Sequence, residues 1–119
     1  MTEQPFEYAR ALDLRGSAIS YKGEFKKAFA DFEKAAKIFS SRATNSDRET
    51  LFYGCNQINL ACACIHQKKK PADVLKHLNL SYNAFKVGFG EEHPKTVKLS
   101  EQIQNYKRTG RLDHETLNG

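Results

Sequence analysis

Cys55, Asn59, Cys62 and His66 recur at the spacing of one helical stripe, and thiols beside an imidazole are the groups that ligate metals or act as nucleophiles. The spacing works against both roles. The helix between Cys55 and Cys62 spans about 10 Å along its axis, too far for both sulfurs to share one tetrahedral ion. Cys62 and His66 are one turn apart and can meet, but two ligands do not make a metal site. Cysteine also serves as a small filler between helices. The expectation is therefore no metal, no cofactor and no catalytic residue, with a thiol or metal enzyme as a remote alternative.

The other reactive types read the same way. His77 falls on a packed helix and is expected to be partly buried and hydrogen-bonded. His93, directly before Pro94, suits a helix cap, and His114 belongs to a C-terminal tail. Glu91 and Glu92 are consecutive, so they cannot face one another as an acid–base pair. No glycine-rich phosphate loop is present. Nothing in these residues supports an enzyme.

Charge is the next signal. The chain of 119 residues carries a net charge of +5, unevenly spread. Glu3, Glu7 and Asp13 make the start mildly acidic. Lys95, Lys98, Lys107, Arg108 and Arg111, against Glu101 alone, make the region after Pro94 basic. Lys98, Lys107 and Arg108 would project from one terminal helix near Tyr106. Such a patch suits an acidic surface: an acidic peptide, a tubulin tail or RNA. The absence of a nucleic-acid motif disfavours RNA. The run Lys68-Lys69-Lys70 reads as a solvated turn.

Three cysteines are an odd number, and Cys62 and Cys64 point to different sides of one helix. A disulfide framework is disfavoured and a reducing compartment expected. MTEQPFEYAR has neither the basic start nor the apolar centre of a secretory signal. No apolar run is long enough to span a bilayer. The expected location is cytoplasmic, a cytoskeletal or ciliary assembly included.

The elements that must position these residues are helices. Strand-like alternation is absent, so an all-α single domain is expected over 1–110, with 111–119 as a tail. Pro5 suits a first helical turn, and that helix runs to about Tyr21. The second extends from about Glu24 to Ser40, and Ser41 to Asn45 reads as a loop. Ser46-Asp47-Arg48-Glu49 is a capping box, opening a helix to about Gln67. Its stripes, Leu51, Cys55, Ile58, Cys62, Ile65 and, beside them, Tyr53, Leu60, Cys64, mark a helix flanked on two sides. Pro71 opens the fourth helix, with Val74, Leu75, Leu78, Tyr82 and Phe85 on one covered face and Leu80, Ala84 and Val87 on another. Gly88 and Gly90 end it. Pro94 restarts a helix bearing Leu99, Ile103 and Tyr106, which stops near Gly110.

The organising stretch is Leu12 to Phe39. Leu12, Gly16 and Ile19 form one helical face; Lys22-Gly23-Glu24 breaks the pattern; Phe25, Ala28, Phe29, Phe32, Ala35, Ala36 and Phe39 form a broader stripe. Two such helices joined by a glycine turn pack antiparallel, with Gly16, Ala28 and Ala35 at the closest approach. From Ala9 to Arg42 the pattern resembles a tetratricopeptide repeat. It departs from the family at Arg15, where leucine is usual, and in lacking a closing proline near Ser40. The pattern specifies packing rather than chemistry.

The second pair of helices is similar to the longer repeat of kinesin light chains, through Asn59-Leu60-Ala61 and Gly90-Glu91-Glu92-His93-Pro94-Lys95-Thr96. Here Lys68–Lys70 replaces a turn glycine. The resemblance implies two repeats plus a closing helix, and a concave groove that holds an extended peptide. It implies groove residues Arg10, Asp13, Ser17 and Tyr21 from the first helix. Cys55, Ile58, Asn59, Cys62 and His66 would come from the third, and Lys98, Gln102 and Asn105 from the last. Some relatives clamp a C-terminal carboxylate with Lys, Asn and Arg. Asn59 and Lys98 fit two such places, but Asp13 and Ser17 stand where Lys and Asn are needed, and an acid repels a carboxylate.

The expected function is a non-enzymatic adaptor or scaffold that binds a protein or peptide partner within a multi-protein complex. The alternative is a small structural subunit pinned inside a larger assembly. Its docking face would be Leu14 and Tyr21, with Ala11 and Ala18 on the same side of the helix, because a two-repeat array leaves its end helices half-covered.

Overall fold

The computed structural model describes residues 5–42 and 46–112, and within them every regular element is a helix. The five are α1 (Phe6–Tyr21), α2 (Phe25–Arg42), α3 (Asp47–His66), α4 (Pro71–Gly88) and α5 (Pro94–Thr109). Local chemistry sets their ends. Pro5 and Lys70 hold extended backbone before α1 and α4, and Pro71 and Pro94 occupy first turns, where a missing N–H costs nothing. The Ser46 hydroxyl accepts the Glu49 N–H at 3.1 Å, and His93 Nδ1 accepts the Lys95 N–H at 3.1 Å. Gly23, Gly90 and Gly110 follow the helices with positive φ, as the left-handed turn after a helix requires.

The helices form stacked hairpins. α1 packs on α2 and α3 on α4; α2 and α1 both meet α3, and α5 closes on α4. The same burial recurs along the two second helices at a constant offset: Ala28, Phe32, Ala35 and Phe39 in α2, then Val74, Leu78, Ser81 and Phe85 in α4. Close approach explains the small residues. A methyl group on Gly16 would lie 2.6 Å from the Phe32 ring, and one on Gly54 would lie 2.8 Å from the Phe85 ring. The chain is thus an all-α array of helical hairpins. Leu99, Ile103 and Tyr106 of α5 complete a core with Ile58, Ala61 and Cys64 of α3 and Val74 and Leu78 of α4.

Several expectations change. Arg15 points across the hairpin and grips Asp31 with two bonds of 2.7 Å, so an ion pair stands where apolar contact is usual. Glu49 does not turn back to the Ser46 backbone; its carboxylate accepts the Arg42 guanidinium at 2.9 Å. α2 continues through Ser41 and Arg42, while 43–45 lie outside the described residues. Val87, expected to be covered, is exposed. Leu112, expected in the tail, packs against the core of α3, α4 and α5; His114, with the rest of 113–119, and Glu3 lie outside the described residues. Asn56 and Gln57 are fully buried on α3, between the two apolar stripes.

Candidate functional site

A groove of about 760 Å³ runs between α1 and α3. Ser17, Ser20 and Tyr21 come from α1, Ile58, Asn59, Cys62, Ala63 and His66 from α3, and Phe25 and Phe32 form its floor from α2. The glycine turn at Gly23 brings Phe25 back beside the end of α3, where its ring stacks on His66 at 4.1 Å with the planes only 6° apart. Tyr21 stands at the rim, 94 % exposed. Hydroxyl, amide and imidazole groups alternate with apolar walls, the composition of a surface that can order a polypeptide by both hydrogen bonds and burial.

One helical turn beyond Ser17, on the same face of α1, lies Asp13. Its Oδ1 accepts Asn56 Nδ2 at 2.9 Å and its Oδ2 accepts Asn59 Nδ2 at 3.2 Å. Asn56 also donates to the Phe32 carbonyl at 3.1 Å, which ties α1, α2 and α3 together. Behind it, Gln57 Nε2 donates to Asn56 Oδ1 at 3.4 Å, and His77 Nδ1 lies 2.7 Å from Gln57 Oε1. Because Gln57 Oε1 can only accept, His77 carries its proton on Nδ1. Burial, aided by Lys76, pushes the His77 pKa down and favours the neutral ring. Each donor in the chain from His77 to Asn56 faces toward Asp13. Burial raises the pKa of the Asp13 carboxyl, and the two asparagine donors oppose it.

The thiols face high barriers to reaction. Desolvation, with Cys64 nearby, pushes Cys62 up to about 12. Cys64 is buried and raised as well, chiefly by desolvation. Cys55, expected in the groove, is exposed and does not line it, yet desolvation and then the Asp13 charge raise its pKa, while Lys95 acts in the other direction. A thiol held protonated is a poor nucleophile. Among the described residues no group of three or more His, Cys, Asp or Glu side chains is placed to hold a metal ion.

Six of the expected groove residues meet in the groove: Ser17, Tyr21, Ile58, Asn59, Cys62 and His66. Asp13 adjoins it through Asn59. Arg10 does not line it, because its guanidinium lies over the Phe52 ring at 4.5 Å. Lys98, Gln102 and Asn105 are on α5, outside this groove. Asn105 instead closes α5, donating to the Arg111 carbonyl at 3.3 Å and accepting from Arg108 at 3.1 Å. Lys98, Lys107, Arg108 and Arg111 are exposed, and Lys95 reaches over the Phe89 ring at 5.8 Å.

Phe25 and Ser20 are lining residues that repeat geometry alone does not single out. Their position beside the Gly23 turn is the signal that could have found them. No helix among the described residues is long and apolar enough to cross a membrane. No family model, curated protein or solved structure matches this chain.

Proposed function

We propose that this chain is a non-enzymatic interaction module of the tetratricopeptide type, which takes an extended segment of a partner protein in the groove between α1 and α3. The observation that carries the reading is the groove itself: about 760 Å³, open along the first helix of each hairpin, with polar groups spaced between apolar walls. The Cys62 thiol that lines it is held protonated, which favours contact over chemistry. A cytoplasmic adaptor or scaffold, cytoskeletal assemblies included, is the setting this supports.

A photocrosslinking amino acid at Ser20, inside the groove, and another at Glu33, on the outer side of α2, test the reading in cells. A discrete adduct from Ser20 that disappears when Cys62→Trp fills the groove is the expected result. Equal labelling from both positions would reject the groove as the binding surface.

A second reading, a small structural subunit held inside a larger assembly, is favoured by one observation. Leu14 is 65 % exposed on the outer side of α1 beside the exposed Ala11 and Ala18, and Tyr21, at the rim where that side meets the groove, is 94 % exposed. On that reading the exposed basic side chains of α5, Lys98, Lys107 and Arg108, meet an acidic surface of the same assembly.

A further inference from the structure

We propose that the segment held in the groove carries a lysine or arginine side chain, and that Asp13 is its counter-charge. This rests on the groove being a polypeptide site. Asp13 makes no ion pair among the described residues, although it is only partly exposed. The two arginines nearest in sequence are committed elsewhere: Arg10 lies over Phe52, and Arg15 donates from Nε and Nη2 to the two carboxylate oxygens of Asp31. Lys95 reaches over the Phe89 ring. A carboxylate drawn out of water without a cation is an unfavourable arrangement that a bound cation relieves.

The fold nevertheless holds this carboxylate in place. Asn56 and Asn59 donate to its two oxygens, and Gln57 and His77 line up behind Asn56 as further donors. Donors arranged in series toward one acceptor stabilise negative charge there and fix its position before a ligand arrives. Each carboxylate oxygen can accept a second hydrogen bond, so two positions remain for an ammonium or a guanidinium. The partner's basic side chain would reach Asp13 past Ser17 and Asn59. The aliphatic part of that side chain would then lie along the groove's apolar wall, where Ile58 stands.

The probes are pools of acetylated, amidated nonapeptides with a fixed central residue, lysine in one pool and norleucine or glutamate in the others. Binding is read by NMR from the backbone amides of Ser17 and Cys62 and the side-chain amide of Asn59. The lysine pool should bind more tightly than the norleucine pool by about tenfold, the range of one charge-assisted contact. The preference should vanish in Asp13→Asn and in Ser17→Lys, which brings its own cation beside Asp13. Circular dichroism checks both folds, and Ser17→Lys carries the test if Asp13→Asn unfolds. Equal affinity for lysine and norleucine, or a preference that survives Ser17→Lys, overturns the proposal. Tighter binding of the glutamate pool keeps the groove and overturns the cation; no shift at Ser17 or Cys62 with any pool overturns both.

Discussion

Two aspartates set the charge logic of the hairpin and respond to acid in opposite senses. Asp31 is held below the usual carboxylate range, first by the hydrogen bonds of Arg15. Its folded pKa lies under the unfolded value of about 3.9, so its contribution is complete above that pH and disappears as pH falls through the folded pKa. Asp13 is raised by burial, so its ionised form opposes folding once pH exceeds the raised value, and below about 3.9 that cost is gone. Asp31→Asn should therefore lower the melting temperature at pH 7 and converge on the parent in strong acid. Asp13→Asn should melt at or above the parent at pH 7, because Asn59 can turn its carbonyl to the new amide, and the gain should fade below pH ~4. Thermal melts from pH 3 to 8 check both; a large loss at neutral pH in Asp13→Asn would refute the account. None of this pairing was legible in the sequence. Apolar periodicity does not register buried polar residues such as Asn56 and Gln57, and Arg15 meets a partner 16 residues away.

Helix ends and close approaches carry the next scale, and here most of the structure was legible. Ser46, Pro71, His93 and Gly110 act where their chemistry places them. The turn after α3 is the informative case. Lys69 N–H bonds to the Cys64 carbonyl at 2.9 Å and Lys68 N–H to that of Ile65 at 3.0 Å, which forces Lys68 to φ 58°. A lysine pays about 1 kcal/mol to sit where glycine is at ease. Lys68→Gly should raise the melting temperature, and a drop would show that the left-handed turn is not strained. Gly16→Ala is the reverse: its methyl would press the buried Phe32 ring, at a cost of about 1–3 kcal/mol, visible as a shift in the urea midpoint. The stripes of α3 were less legible. A helix covered on both sides buries more than half its circumference, so periodicity blurs, and Cys55 emerges exposed while Gly54 and Asn56 are enclosed.

The whole array has two ends, and they are not alike. At the far end α5 lays Leu99, Ile103 and Tyr106 on the core and turns its charged side outward. At the near end α1 buries Phe6, Ala9, Leu12 and Gly16, leaving Ala11, Leu14 and Ala18 exposed on its outer side and Tyr21 at the rim where that side meets the groove. Covering Leu14 and Tyr21 would recover roughly 1.5–3 kcal/mol each by area, so this face gains from a partner chain where the basic face of α5 gains little. Glutamate there removes the gain and adds a charge that would have to be desolvated. If the chain is held in an assembly through α1, Leu14→Glu and Tyr21→Glu should release it while leaving its helicity intact, because neither position touches the core. Tyr21 also lines the groove, so Leu14→Glu is the cleaner of the two: it should break assembly yet leave peptide binding unchanged. Sedimentation and pull-down beside circular dichroism read the outcome, at two salt concentrations, since contacts made by α5 would weaken with screening and those of Leu14 would not. Association that survives Leu14→Glu but falls when Cys62→Trp fills the groove would place the contact between α1 and α3 and remove the outer face from consideration.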